Sequence, residues 1–420
     1  MINIKLLREN PGLFKKSNKK RGYPVEKIDE ILSIDSGWRK LKEEVDKLRA
    51  GRNRITEDIS DARKSNKPVD SFINQTKKIQ SKLEEAEKEM IQLNEKREKL
   101  LRENPNLIDD SVPVGDISKN KVLKKYGKPR KKISKSHAEI MEALDLIDTK
   151  KASEVASSRF YYLKNKLVRL NHALMDFAMD YLIKKGFVLI QPPYMLRKEI
   201  LDSALTIDAF EDAIYKIEGE DLYLIGTAEH ALNAYHNNEV INELPIRYAG
   251  ISPCFRKEAG SHGKDTKGIF RVHQFDKIEQ FVFCKPESAW KEFDLILNNS
   301  IEMFKALEIP FRTIILSSQD TGRVPCKTID LEGWFPSQQE YRELGSCSNC
   351  LDYQSRRGNI KYQDNQELKL VYTLNNTAIA TERMLCCLVE NFLQKDGSIK
   401  IPKALWKYTG FKDIRKKLKT

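Results

Sequence analysis

The sequence predicts an α+β protein in which an N-terminal antiparallel coiled-coil hairpin arm precedes a domain with an antiparallel β-sheet flanked by helices. Two observations predict this arrangement. Between residues 35 and 104, hydrophobic residues recur at the three-, four- and seven-residue steps that coiled-coil helices require. Beyond residue 140, short β-type runs follow one another without the regular strand–helix alternation of a parallel sheet.

Length and composition restrict the class of protein. The 420 residues allow two or three domains, and 40% hydrophobic with 32% charged residues allow a core beneath a charged surface. No run approaches the ~18 apolar residues of a transmembrane helix, and the N-terminal segment lacks the apolar stretch of a secretory signal. The seven cysteines favour reduced thiols over a disulfide framework. We therefore expect a cytoplasmic protein with no membrane partner.

The arm is predicted from two helical repeats and the break between them. The first repeat runs through Trp38, Leu41, Val45, Leu48, Ile55 and Ile59, and the second through Phe72, Ile79, Ala86, Leu93 and Leu100. Residues 64–68 separate the repeats, and Pro68 prevents the first helix from continuing. Two helices of about 30 residues each, joined by a short turn, would form an arm roughly 45 Å long.

The distribution of charge suggests what the arm does. The distal part, from Arg39 to Lys82, has 13 basic and 7 acidic residues, whereas residues 83–104 are near neutral. A basic tip on a long arm is typical of contacts with the phosphate backbone of structured RNA. The alternative is a helical packing or dimerisation element without a nucleic-acid partner.

Composition also sets the domain boundaries. We expect an N-terminal domain at residues 1–112, with the arm at about 35–104, and a second domain at residues 140–420. The segment 113–139 is predicted to be a basic linker, because residues 119–136 carry nine basic side chains and no acidic one.

The second domain begins with a helix and continues in strands. A helix is predicted from Ser157 to Lys185, ending at Gly186, followed by a strand that Pro192 and Pro193 terminate. Further β-type runs cover Asp221–Ile225, Arg247–Phe255, Gly268–Phe283, Phe311–Ser317, Thr328–Trp334 and Leu368–Leu374. Neither a P-loop nor a Rossmann glycine motif is present in the sequence, so those phosphate sites are excluded.

Charged residues planted in these strands carry the chemistry. Arg256, Glu258, Arg271 and Glu279 lie on a strand–loop–strand unit whose face would otherwise be buried. Burying ions is costly unless they pair or meet a ligand, so the unit forms either a ligand site or an internal salt-bridge ladder. Arginine suits bidentate phosphate binding, and Phe275 offers a flat stacking surface.

Three segments resemble the motifs of class II aminoacyl-tRNA synthetases. The helix ending at Gly186 with its strand is similar to motif 1, residues 255–275 to motif 2, and residues 375–390 to motif 3. Four strings narrow the resemblance to the seryl-tRNA synthetases: residues 227–229 (TAE), 258–261 (EAGS), 271–275 (RVHQF) and 341–350 (YRELGSCSNC). The resemblance covers essentially the whole chain and implies a class II catalytic domain at residues 140–420.

The resemblance implies a reaction and an ATP site. Serine and ATP would give seryl-adenylate and pyrophosphate, and the seryl group would then pass to tRNA. The first step needs no general base, because the serine carboxylate is already a nucleophile at neutral pH. The implied catalytic residues are Arg256, Glu343 and Arg383, and the implied ATP-binding residues are Arg256, Lys257, Glu258, Val272, Phe275, Glu343, Leu344, Gly345, Ser346 and Arg383. Phe275 and Arg383 would sandwich the adenine.

The resemblance also implies a serine pocket and a magnesium site. The serine-binding residues would be Thr227, Ala228, Glu229, Arg256, Glu279 and Thr377, and Glu343 with Ser346 would hold Mg²⁺. No zinc is expected, because Cys347 and Cys350 supply only two of the four ligands of a tetrahedral site.

Partners, departures and rival functions complete the sequence interpretation. The implied partners are tRNA(Ser), L-serine, ATP and a second copy in a homodimer; whether tRNA(Sec) is also charged stays open. Asn376 stands where glycine is usual, and Ser203–Phe210 replaces a usual Gly-Thr-Gly region.

Three alternative functions remain open beside serine–tRNA ligation. They are a synthetase for another amino acid, a paralogue charging a carrier protein, and a non-catalytic RNA-binding relative. The basic arm argues against the carrier paralogue, and the three implied catalytic residues argue against the RNA-binding relative.

Overall fold

The computed structural model describes residues 1–204, 211–258 and 267–416. They divide into two compact units, Met1–Leu107 and a second that begins at Ile108. The boundary therefore falls a few residues before the predicted end of the first domain at 112. No helix among the described residues is both long and apolar enough to cross a membrane.

The first unit is helical and contains the predicted arm. Its helices are α1 Ile4–Glu9, α2 Pro11–Lys20, α3 Glu26–Lys64 and α4 Asp70–Glu103. Helices α3 and α4, of 39 and 34 residues, pack against each other through Val45, Leu83 and Ala86. Arg49 reinforces the contact by donating to Glu87 over 2.7 Å. At 1.5 Å per residue the arm helices are about 50 to 60 Å long, longer than predicted because α3 begins at Glu26.

A buried ion cluster fixes the base of the arm. The carboxylate of Asp35, only 1% exposed, accepts two hydrogen bonds of 2.7 Å from the Arg8 guanidinium. Arg97 lies 3.6 Å from the same carboxylate, and its guanidinium covers the Trp38 ring at 3.8 Å. Burial alone would raise the pKa of Asp35, but these arginines and Arg39 lower it. These contacts therefore fix α1, α3 and α4 to one another at the base of the arm.

The second unit contains the remaining helices and all the described strands. Its helices are α5 His137–Ala143, α6 Thr149–Val155, α7 Lys166–Lys184, α8 Lys198–Ala204, α9 Ala228–Ala234, α10 Ala289–Ala306, α11 Tyr353–Gly358, α12 Thr381–Phe392 and α13 Trp406–Thr409. Its strands are β1 Lys121–Tyr126, β2 Ile147–Asp148, β3 Tyr162–Leu163, β4 Val188–Ile190, β5 Met195–Arg197, β6 Leu222–Leu224, β7 Val240–Ile241, β8 Ile246–Phe255, β9 Gln274–Cys284, β10 Phe311–Ile315, β11 Lys327–Phe335, β12 Glu340–Asn349, β13 Lys361–Asp364, β14 Glu367–Leu370, β15 Tyr372–Ala380, β16 Ile399–Lys400 and β17 Asp413–Ile414.

An eight-stranded sheet organises this unit. Its order is β1-β10-β11-β12-β15-β9-β8-β4, and every pair is antiparallel except β4 with β8. Helices α7, α10 and α12 contribute to the main hydrophobic core with residues from the sheet. The predicted fold class, a helical hairpin arm followed by an antiparallel-dominated sheet with helices, is confirmed.

Several predicted elements differ from the structure. The run predicted at Gly268–Phe283 is a strand only from Gln274, and the run predicted at Leu368–Leu374 is divided between β14 and β15, which belong to different sheets. Helix α7 begins at Lys166 rather than Ser157, because Ser157, Arg159 and Asn165 all have positive φ angles and break the helical path. Its end is as predicted, with Gly186 at a φ of +81°. Residues 121–126, predicted to lie in a linker, form strand β1 because they pair with β10 at the sheet edge.

The departure at Asn376 lies behind the sheet. Its side-chain nitrogen donates to the backbone oxygen of Ile296 and to Ser300 Oγ, both on helix α10. Of the segment 203–210, the residues 205–210 lie outside the described residues, as do residues 259–261 of the EAGS string.

Candidate active site

A cavity of about 530 Å³ opens beside the strands that carry the predicted motifs. Strands β8, β9, β12 and β15 and the start of α9 bring polar residues to it. Its charged and hydroxyl-bearing lining residues include Thr227, Glu229, Arg256, Glu258, Lys277, Glu279, Arg323, Glu343, Ser346 and Thr377. Such a concave, polar space can enclose a charged small molecule.

Glu229 lies in the first turn of α9 and is held by two amides. Gln354 Nε2 donates to Glu229 Oε1 over 2.7 Å, and Asn375 Nδ2 donates to the same oxygen over 3.1 Å. Thr373 Oγ1 in turn donates to Gln354 Oε1 over 2.6 Å, which fixes the orientation of the amide. Burial, followed by the charge of Glu279, raises the pKa of Glu229 to about 6. Near neutral pH the group is therefore a carboxylate that can receive a cation.

Glu279 lies opposite Thr377 across the β9–β15 pair. The two are partners in the strand register, and Thr377 Oγ1 lies 3.5 Å from Glu279 Oε2. Lys277, on the same face of β9, forms an ion pair with Glu279, and both side chains are almost fully buried. A buried carboxylate balanced by a lysine is chemically suited to exchange that partner for a ligand group.

Arg256 follows strand β8 and faces the cavity. Its Nε donates to the Gly226 carbonyl over 3.1 Å, and its guanidinium carbon lies 5.3 Å from the centre of the Phe275 ring. These contacts orient the guanidinium fork, which is the side-chain geometry best matched to a phosphate or carboxylate.

Beside the cavity, a narrow cleft carries the aromatic surface. It is lined by Glu258, Phe270, Arg271, Val272, Phe275, Glu382 and Arg383. Arg271 Nη1 pairs with Glu258 Oε2 at 3.1 Å. The Arg383 guanidinium covers the Phe270 ring at 5.3 Å and lines the same cleft as Phe275.

A group of oxygen atoms lies where strands β11 and β12 meet the motif 3 helix. Arg383 Nη1 pairs with Glu343 Oε1 at 3.1 Å, and the charge of Arg383 lowers the pKa of Glu343. Ser346 Oγ donates to Asp330 Oδ1. Burial and then the charge of Glu343 raise the pKa of Asp330 well above its usual range.

This oxygen group fits Mg²⁺. The charge of Glu343 makes ionisation of the neighbouring Asp330 more costly in the absence of a cation, and Ser346 adds a hydroxyl. Magnesium usually takes one or two carboxylates and completes its shell with water and phosphate oxygens. Within the described residues, no group of three or more His, Cys, Asp or Glu side chains is arranged to hold a metal ion by protein ligands alone.

Comparisons with known proteins match both units. Residues 1–108 match the family model of the seryl-tRNA synthetase N-terminal domain, and residues 212–392 match that of the class II tRNA synthetase core domain (G, H, P, S and T). The chain is 45% identical to the serine–tRNA ligase of Thermococcus sibiricus, over 99% of this chain and 97% of that relative. The chain belongs to the serine–tRNA ligase family.

Solved structures of the family agree with this assignment. The seryl-tRNA synthetase of Pyrococcus horikoshii, complexed with ATP, superposes with a TM-score of 0.93 at 44% identity, over 100% of both chains. The cytoplasmic serine–tRNA ligase of Naegleria fowleri, in complex with AMP, gives 0.88 at 35% identity, over 100% of this chain and 99% of that chain. The resemblance inferred from the motifs is thus confirmed, and the protein is an aminoacyl-tRNA ligase, an enzyme.

The structure brings most of the motif residues together and places a few elsewhere. The cavity receives the side chains of Thr227, Glu229, Arg256, Glu258, Glu279, Glu343, Ser346 and Thr377, and the cleft receives Val272, Phe275 and Arg383. Ala228 and Leu344 are buried in hydrophobic clusters. Lys257 donates its backbone N–H to the Ala213 carbonyl over 3.0 Å. A Cβ at Gly345 would lie 3.0 Å from Thr377 Cβ, so glycine lets the two strands approach.

Four residues at the serine–tRNA ligase site were missed by sequence reasoning. Lys277 and Asp330 had a usable signal, because each is a charged residue beside apolar residues within a strand. Gln354 had none, since it reaches Glu229 only through the packing of α11. His230 also lines the cavity, and its Nδ1 has no hydrogen-bond partner among the described residues. Burial, then Arg256 and Lys277, lower the pKa of His230 to about 3, so its imidazole is neutral.

Proposed function

We propose that this protein activates L-serine with ATP and transfers the seryl group to the 3′ end of tRNA(Ser). The observation that carries the proposal is the placement of two buried carboxylates, Glu229 and Glu279, in the same cavity as Arg256. An α-amino acid presents an ammonium and a carboxylate that this combination of charges complements.

Glu229 and Glu279 would bind the ammonium and hydroxyl groups of serine. Thr377, opposite Glu279, adds a second polar contact. A pocket that hydrogen-bonds a substrate hydroxyl rejects the analogue that lacks it, because buried polar groups are then left unpaired. Alanine is therefore a poor substrate for this site. Before serine arrives, Lys277 is the ion-pair partner of Glu279.

The ATP site would extend from the cavity into the neighbouring cleft. Arg256 would hold the α-phosphate and Arg383 the γ-phosphate, each with a guanidinium fork already oriented by neighbouring groups. The adenine would enter between Phe275 and Arg383, which line one cleft with Glu258 and Val272. For this, Arg383 exchanges its contact with the Phe270 ring for one with the base.

The first chemical step would proceed without a general base. A serine carboxylate oxygen attacks the α-phosphorus, and the bond from that phosphorus to the oxygen bridging to the β-phosphate breaks, releasing pyrophosphate. No proton has to be removed from the nucleophile. The protein contributes alignment and stabilisation of the charge that develops on the phosphate, for which Arg256 is placed.

Glu343 and Ser346, with Asp330 beside them, would hold Mg²⁺. When bound, the ion would neutralise phosphate charge. The lowered pKa of Glu343 keeps its carboxylate available as a ligand.

The second step would join the seryl group to tRNA. A hydroxyl of the terminal adenosine replaces AMP on the serine carbonyl carbon. The helical unit, whose arm has a basic distal part, would hold the tRNA by its phosphate backbone. We assign tRNA binding to the N-terminal unit and both chemical steps to the second unit.

We also propose a homodimer. Ile183, at the end of α7, and Val188, on the edge strand β4, are 53% and 58% exposed. Exposed apolar side chains at a sheet edge are suited to contact between copies. A mass of two chains in light scattering supports the proposal, and a mass of one chain at micromolar concentration contradicts it.

The deciding experiment is ATP–pyrophosphate exchange with each of the twenty amino acids, without tRNA. We expect exchange with serine alone. Exchange with another amino acid would contradict the serine pocket and keep the ligase fold; no exchange by folded protein with Mg²⁺ would contradict activation altogether. Glu279→Gln should weaken serine use about tenfold, because the amide keeps an acceptor oxygen and loses the charge that strengthens the hydrogen bond. Glu287→Gln, at an exposed position, is the matched control.

A further inference from the structure

The residues between the two predicted domains form a structured part of the second unit. Strand β1 pairs with β10 from Lys121 opposite Ile315 to Tyr126 opposite Phe311. The rings of Tyr126 and Phe311 stack with centres 4.5 Å apart. The beginning of this segment is therefore an edge strand of the eight-stranded sheet.

The residues after β1 are tied to the motif 3 helix. The Arg130 guanidinium donates to the carbonyl oxygens of Glu390 over 3.2 Å and Asn391 over 2.7 Å, and to that of Leu393. These carbonyls belong to the end of α12, where backbone acceptors lack partners within the helix. Trp334 Nε1 donates to the Arg130 carbonyl over 2.9 Å. The chain is thus held in place at Arg130 through both its side chain and its backbone carbonyl.

We name the surface of this segment the basic rim, defined by seven exposed lysines. They are Lys121, Lys124, Lys125, Lys128, Lys131, Lys132 and Lys135. Residues 119–136 contain no acidic side chain. None of the seven ammonium groups forms a hydrogen bond or an ion pair within 4.0 Å with another residue that the structure describes. Arg130, the one basic residue of residues 121–135 outside this set, is used for anchoring.

Such a surface has a defined electrostatic partner. Seven like charges on a fixed backbone repel one another, and their favourable contacts within the protein are weak, such as that of Lys124 with the Tyr126 ring at 5.4 Å. A polyanion relieves the repulsion and releases its counterions. Tyr126, the only aromatic residue of the segment, already stacks on Phe311. The rim can therefore contact phosphates and has no ring to offer to bases, which indicates backbone recognition.

We propose that the basic rim binds the phosphate backbone of the tRNA substrate. The proposal rests on the proposed function and adds a contact on the second unit, separate from the coiled-coil arm. Because the lysines contact phosphates only, the rim contributes affinity and salt dependence rather than a choice between tRNA sequences.

The test compares two charge reversals of equal size. The rim variant carries Lys124→Glu, Lys125→Glu and Lys128→Glu. The control variant carries Lys291→Glu, Lys400→Glu and Lys403→Glu, at exposed positions elsewhere in the second unit. Filter binding measures the dissociation constant for tRNA(Ser) transcript between 50 and 200 mM salt. We expect the dissociation constant of the rim variant to be at least tenfold larger than that of the wild type at the lowest salt. The slope of log affinity against log salt should fall by about three, one for each lost phosphate contact.

Serine-dependent ATP–pyrophosphate exchange without tRNA separates failure of the rim from failure of the proposed function. Absence of exchange in the wild-type protein would contradict serine activation and leave rim binding to be judged from the tRNA titration alone. With exchange intact in all three proteins, unchanged tRNA binding by the rim variant overturns the proposal. An equal loss by the control variant also overturns it, because net charge would then explain the effect. Equal wild-type affinity for vesicles of anionic phospholipid at matched salt would overturn it in favour of a membrane surface.

Discussion

Replacing Gln354 tests whether the amide pair around Glu229 tunes the pKa of the proposed ammonium ligand. Gln354 is fully buried and donates to Glu229 Oε1 over 2.7 Å, so Gln354→Leu removes one hydrogen bond to the charged form of that carboxylate. A hydrogen bond to a charged group contributes about 1.5 to 3 kcal/mol. Since about 1.4 kcal/mol corresponds to one pKa unit, the substitution should raise the pKa of Glu229 by about 1 to 2.

The sign of the effect on activity follows from which form binds serine. The ionised carboxylate attracts the ammonium, and the pKa of Glu229 in the wild-type protein is about 6. The wild-type kcat/KM for serine should therefore fall as the pH drops through about 6. In Gln354→Leu the same fall should occur about 1 to 2 pH units higher. At pH 7 the ionised fraction then decreases about two- to tenfold, and the KM for serine rises by the same factor.

The assay is ATP–pyrophosphate exchange at varied serine concentration from pH 5.5 to 9. At pH 9 the two proteins should converge, because Glu229 is ionised in both. Gln363→Leu, at the exposed position of strand β13, is the matched control and should follow the wild type. Thermal unfolding of each variant checks stability, since Thr373 also loses its acceptor. An unchanged inflection in a folded Gln354→Leu protein would refute the role of this amide.

Three further substitutions address the arm, the sheet and the phosphate site. Leu83→Ala should destabilise the arm by about 2 to 5 kcal/mol, weakening tRNA charging while tRNA-free exchange is retained; equal loss of both activities would contradict separate roles. Gly333→Ala puts a Cβ 2.5 Å from Leu344 Cδ1 and 2.9 Å from Cys387 Sγ, so it should lower the free energy of unfolding by about 1 to 3 kcal/mol. Calorimetry should then show a melting temperature lower by several degrees. An unchanged melting temperature would contradict the close packing. Arg383→Lys keeps the charge and loses the guanidinium fork, and should lower the kcat of exchange at least tenfold; wild-type kcat would contradict phosphate binding by this group.

The fold was predictable where local pattern and tertiary structure agree. The heptad spacing of α3 and α4 is a local property, and the structure keeps Val45 and Leu83 at the contact the pattern indicates. The start of α7 was not predictable, because apolar spacing continues through residues whose backbone leaves the helical region. Strand β1 was missed for a similar reason. Its residues are lysine-rich and exposed, and their pairing with β10 depends on a partner almost 200 residues away.

The candidate site shows the same division. Arg256 and Glu279 were found from charges in apolar strands and from motif resemblance, both of which are visible in the sequence. Asp330 is also a charged residue within a strand, but its closeness to Glu343 depends on the alignment of strands β11 and β12. Gln354 reaches the site from a helix that packs on β15, and neither its residue type nor its spacing indicates that contact. Long-range packing, rather than local propensity, determines such positioning residues.

The hydrogen bonds of Asn376 affect the design of chimeras in which motif 3 is taken from another member of the family. The side chain occupies the space between β15 and α10 and satisfies Ser300 Oγ, which itself donates to the Thr377 carbonyl over 3.0 Å. Glycine at 376 would leave a void there and remove one of two donors to a buried hydroxyl, since Gln280 Nε2 also donates to Ser300 Oγ over 3.2 Å. A chimera that receives a glycine-type motif 3 should therefore need the matching α10 residue at position 300. Positions 300 and 376 are coupled by this hydrogen bond, so we expect a graft that changes position 376 alone to lose stability before it loses chemistry.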